Sequence, residues 1–145
     1  MGLFDGIRSK IQPVFDAQKA IMTIVVSAIR ADGAISEEEV RRLHSMCARS
    51  PVFSQNTVEQ DDRLIDFAVD VGDQFGDDCL RLAAEALEPA LRQTAFAFAT
   101  EMVLADGIVG DEEETYMAAL AGILGLNENL ARAIIEVTLI RARAA

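Results

Sequence analysis

The segment Ala31-Asp32-Gly33-Ala34-Ile35-Ser36-Glu37-Glu38-Glu39 returns, 74 positions later, as Ala105-Asp106-Gly107-Ile108-Val109-Gly110-Asp111-Glu112-Glu113. The flanks repeat with it. In that register Ile24 and Ile29 meet Phe98 and Val103, and Leu43 and Met46 meet Met117 and Leu120. Each copy reads as an apolar helix, a carboxylate-rich glycine turn and an amphipathic helix. A hairpin of this kind must bury its apolar face against another element, so two copies predict pseudo-twofold packing of two helical hairpins.

The remaining sequence fits the same plan. Ile21, Ile24, Val25, Ala28 and Ile29 follow helical spacing and predict a helix over roughly 14–31. Ser36 caps the next, with Val40, Leu43 and Cys47 on its core face, and Ser50-Pro51 stops it. Either Asn56 or Thr57 caps a third helix, which uses Leu64, Phe67, Ala68 and Val71 and breaks at Gly76. Asp77 is expected to cap a short helix with Leu80, Ala83, Ala84 and Leu87. Pro89 opens a helix carrying Ala95, Phe98, Met102 and Val103. A helix over roughly 111–124 holds Met117, Leu120 and Leu124, and a last one from Asn127 is expected to bury Leu130, Ile134 and Val137, with Ile140 or the stem of Arg141.

With 145 residues, 51% of them hydrophobic, the chain can bury a core of its own. The expected fold is all-α, a single compact bundle of about seven helices built from two pseudo-repeated helix–acidic turn–helix units. An amphipathic arm over 1–13, with Leu3, Phe4, Ile7 and Ile11 at helical spacing, is expected to precede a helical domain over 14–145 and to dock on its core.

The repeated turn has a local explanation and a chemical one. Gly33 and Gly107 permit positive φ where a helix ends, and Ser36 with Glu39 forms a capping box. Ile35 and Val40 stand at the positions of a hydrophobic staple, and the glutamates face the positive end of a helix dipole. The second copy keeps the charges and loses the cap chemistry, with Gly110 in place of the serine and Glu114 in place of Val40. What both copies share is Asp, Gly and a Glu-Glu pair, the clustered oxygens that Ca²⁺, Mg²⁺ or Mn²⁺ would use. An EF-hand loop is not met, because its first two ligand positions would fall on Ala28 and Arg30, and on Met102 and Leu104.

The doubled pattern, A-D-G-x-[IV]-x-x-E-E on a helix–turn–helix, resembles the TerB family of tellurite-resistance proteins, from about Phe15 to the last helix. The resemblance implies a compact bundle of about seven helices. It also implies an acidic surface cluster for a divalent metal, and a stress-resistance role near a membrane partner. The acidic positions it implies are Asp32, Glu38 and Glu39 in the first turn, and Asp106, Glu112 and Glu113 in the second.

The formal net charge of −11 argues against nucleic acid and anionic membrane surfaces and leaves cations and basic protein patches as partners. Cys47 and Cys79 form no CxxC and are expected as reduced, buried thiols. His44, the only histidine, stands near Cys47 and is read as structural rather than as half of a soft-metal pair. No P-loop, GxSxG or GxGxxG occurs, and a helix N-terminus favours the ionised carboxylate, which suits cation binding better than general-acid work. The expectation is therefore a non-enzymatic protein, cytoplasmic, including the inner face of the membrane. It would bind a divalent cation weakly and recruit a membrane-associated protein of the tellurite-resistance system. The alternative is a metal-independent scaffold whose acidic face binds a basic partner.

Overall fold

The computed structural model describes residues 13–30, 34–105 and 107–143. Among them are seven helices and no strand: α1 (Ala17–Ile29), α2 (Glu37–Arg49), α3 (Val58–Phe75), α4 (Asp78–Glu85), α5 (Pro89–Val103), α6 (Asp111–Ile123) and α7 (Glu128–Arg141). Apart from Pro13, the proposed N-terminal arm lies outside the described residues.

The helix ends follow from local chemistry. Asp16 caps α1 by accepting from the Lys19 N–H at 2.8 Å. Thr57, rather than Asn56, caps α3 in a second capping box: the Gln60 N–H donates to Thr57 Oγ1 and the Thr57 N–H to Gln60 Oε1. Asn127 caps α7. Asp77 corrects the sequence reading. Its backbone is already helical and its side chain makes no cap hydrogen bond. The turn between α3 and α4 is made instead by Gly76 at φ +57°, the left-handed region that glycine alone enters freely.

Helix α1 lies at the centre of the bundle, packed on α3, α4 and α5. Every residue from Ala20 to Val26 is buried, so its apolar stripe widens into the whole circumference, as a helix surrounded by others requires. Arg30, just past its end, crosses to α3, donating to the Val69 carbonyl at 3.1 Å and pairing with Asp73 at 2.7 Å. Gly72 makes room for it: a Cβ there would stand 3.1 Å from Arg30 Nη1. At the other end of the bundle Arg92 Nε, on α5, donates to the Ala84 and Leu87 carbonyls and ties off the end of α4.

Two helix faces depart from the sequence reading. On α5 the buried aromatic is Phe96, while Phe98 and Val103 are half-buried. On α7 only Ala131 is buried, Leu130 and Ile134 are half-buried, and Val137 and Ile140 stand 55% and 54% exposed. The reason is positional. Among the described residues helix α7 packs chiefly on α5, so Ile134 and Ile135 meet the core while Val137 and Ile140 do not.

Candidate cation site between the two acidic turns

The first turn delivers its carboxylates as the spacing predicts. The Glu39 N–H donates to Ser36 Oγ at 3.1 Å, and the Ser36 N–H donates to Glu39 Oε1 at 3.0 Å. That box fixes the Glu39 side chain against the start of α2 and leaves its second oxygen free of it. Glu37 and Glu38 project from the same turn into solvent.

The second turn reaches a similar geometry with fewer bonds. Gly107 sits at φ +75°, and a Cβ there would meet the Ala142 carbonyl oxygen at 3.4 Å, so the turn is held close to the end of α7. Gly110 occupies the N-cap position of α6 in extended backbone and offers no side-chain acceptor. Glu113 still turns back toward it, with Oε1 3.5 Å from where a Gly110 Cβ would lie. Asp111, Glu112 and Glu114 are exposed.

The two turns meet at one cavity. A space of about 240 Å³ is walled by Ala28, Ile29, Glu39 and Arg42 on one side and by Met102, Val103, Ala105 and Glu113 on the other. In the 74-residue register Ala28 matches Met102, Ile29 matches Val103 and Glu39 matches Glu113. Three pseudo-equivalent pairs thus face each other, where the ends of α1 and α5 approach the starts of α2 and α6. Of the six carboxylates singled out from the sequence, the structure brings together Glu39 and Glu113, both half-buried. Glu38 and Glu112 point to solvent. Asp32 and Asp106 lie outside the described residues. Among the described residues no three His, Cys, Asp or Glu side chains converge as a ligand set.

Arg42 breaks the symmetry. It stands one helical turn after Glu39, on the same face of α2, and its counterpart in the repeat is Tyr116, which does not line the cavity. Its Nε is buried without a hydrogen-bond partner. The sequence reading missed this residue. The signal was present, as a cation facing the acidic turn in one copy and a phenol in the other.

The remaining candidates are structural. His44 Nε2 lies 2.7 Å from Asp62 Oδ1, a link between α2 and α3. Cys47 and Cys79 are free and buried. Burial, reinforced by the charge of Asp61, pushes the Cys47 thiol up from 9.0 to about 12. Burial likewise raises Cys79. Neither supplies a thiolate near neutral pH.

Fold and turns together define a class, a small acidic all-helical module with a duplicated helix–turn–helix. The family described as tellurite resistance protein TerB matches residues 18–135, and the chain belongs to that family. Comparison with curated proteins and with solved structures returned no match.

Proposed function

We propose that this tellurite-resistance-type module is non-enzymatic, binds a divalent cation weakly between its two acidic turns, and recruits a membrane-associated protein partner. The observation that carries the cation reading is the shared cavity. Glu39 and Glu113, equivalent in the repeat, wall one space of about 240 Å³, and Asp106 directly follows Ala105, which lines it. A hard cation takes carboxylate and carbonyl oxygens in flexible geometry, and two helix starts meeting at a point supply both acidic side chains and turn backbone. Arg42 accounts for weakness. A permanent positive charge in the wall opposes the charge of the ion. Among the described residues no helix is long and apolar enough to cross a membrane.

Titration calorimetry with Ca²⁺, Mg²⁺ and Mn²⁺, with thermal melts in parallel, tests the proposal. Heat from at least one ion and a raised melting temperature are expected; no heat and no shift with any of them would sink it. A second reading, a metal-independent scaffold, draws on the solvent-facing Glu37, Glu38, Asp111, Glu112 and Glu114, which crown two neighbouring helix starts. It predicts salt-sensitive capture of a basic partner that persists in chelator and weakens in Asp32→Asn plus Asp106→Asn.

A further inference from the structure

A larger cavity lies on the opposite side of Arg42. It encloses about 640 Å³ between α2, α5 and α7, within the range of about 300–1,000 Å³ typical of small-molecule sites. Its floor is apolar: Phe98, Met102 and Leu104 from α5 and its end, and Ile134 and Val137 from α7. Its rim is basic: Arg42, Arg49 and Arg141. That concentration stands out in a chain carrying 24 acidic residues against 13 basic ones.

The three arginines are not equally committed. Arg49 is paired with Glu101 at 3.0 Å, which neutralises both. Arg42 has its Nε buried with no acceptor, and Arg141 makes no ion pair or hydrogen bond through its side chain among the described residues. Arg42 and Arg141 therefore line an apolar cleft without a hydrogen-bonded acidic partner in it, although Arg42 also borders the cavity that holds Glu39 and Glu113. Guanidinium binds carboxylate through paired, charge-assisted hydrogen bonds.

We propose that this cleft binds a single-chain amphipathic carboxylate, its headgroup on Arg42 and Arg141 and its hydrocarbon tail along Phe98, Met102, Ile134 and Val137. Charge and lining favour such a molecule: the arginines offer a carboxylate its hydrogen-bond donors, and the apolar residues between them offer a hydrocarbon tail its contacts. The exposed Val137, 55% accessible on α7, is the residue an apolar tail would cover. The site is separate from the cation cavity and touches it only through the shared wall of Arg42, Met102 and Ala105.

Calorimetric titration of the full chain with decanoate below its micelle concentration tests this, with decanol and decyltrimethylammonium as neutral and cationic matches. Decanoate is expected to bind one per chain, roughly tenfold more tightly than decanol, with no binding of the cation. Arg42→Gln and Arg141→Gln, the latter at an exposed position, are each expected to weaken decanoate by roughly tenfold, with thermal melts showing that both variants fold. Val137→Glu should abolish binding while leaving the fold intact. Equal binding of decanoate and decanol, unchanged affinity in both arginine variants, or absence of decanoate binding overturns the proposal. Sedimentation that shows a dimer lost in Val137→Glu, with no decanoate binding, would assign the cleft instead to a second copy of the chain.

Discussion

Glu39 and Glu113, 74 positions apart in the chain, wall the same cavity, and Arg42 stands in that wall where the repeat would place a tyrosine. Under the proposed cation reading, this pairing would give the doubled acidic turn a common purpose. Each copy starts a helix, and each start contributes one glutamate to a cavity that the ends of α1 and α5 also line. Neither turn alone gathers the oxygens a hard cation needs.

Arg42 acts as an internal competitor for any cation in that cavity. Arg42→Gln is expected to tighten Mn²⁺ by roughly tenfold at low salt, less as ionic strength rises. The same substitution weakens decanoate in the neighbouring cleft. Opposite signs for the two probes, read by calorimetry on one variant, separate the two sites.

The missing cap of α6 can be restored. Gly110 has φ −81° and ψ 162°, which any residue adopts, and a Cβ there meets Glu113 Oε1 only at ordinary contact distance, 3.5 Å. Gly110→Ser should raise stability by about 1 kcal/mol, through a new cap and a less flexible unfolded chain. Ser36→Ala should lower it by about the same amount, since it removes the capping box of α2. Urea denaturation reads both.

Much of this was legible in the sequence because helix ends are local. Ser36, Pro89 and Gly107 act on backbone within a turn of themselves, and each does in the structure what its residue type dictates. Which face of a helix is covered depends on distant neighbours. Phe96 and Phe98 are two residues apart on α5, yet Phe96 is fully buried while Phe98 is half-buried beside Phe53, a difference set by what packs around α5 and not by local spacing. Val137 and Ile140 fit a core pattern, yet among the described residues they stand exposed on α7. For the cavity, the repeat register supplied Glu39 and Glu113; Arg42 was hidden because the comparison stopped at what the copies share.

Burial gives the two phenylalanines different weights. Phe96 is fully buried, and Phe96→Ala should cost about 3–5 kcal/mol in cavity and lost transfer energy. Phe98→Ala should cost less, because its ring is half-buried at the edge of the large cleft. A chemical-denaturation midpoint for each variant checks the order.

The thiols give the fold an alkaline limit. Cys47 is raised in the folded protein from 9.0 to about 12, so its neutral form is favoured by folding. That contribution is complete below pH about 9 and is lost progressively as pH rises toward about 12. Stability should fall over this window by up to about 1.4 kcal/mol per pH unit from this group. Cys47→Ala should flatten the slope, whatever it does to stability at neutral pH. Denaturation series at pH 8 and pH 10.5, bracketing the ordinary thiol value of 9.0, measure it.

The most direct test of the account is a Mn²⁺ titration of the wild-type chain beside Glu39→Gln plus Glu113→Gln, followed by calorimetry with thermal melts of both. Heat and a Mn²⁺-dependent rise in melting temperature are expected for the wild type, and neither for the double variant. Equal Mn²⁺ binding by the two chains, or no binding by the wild type, would contradict it.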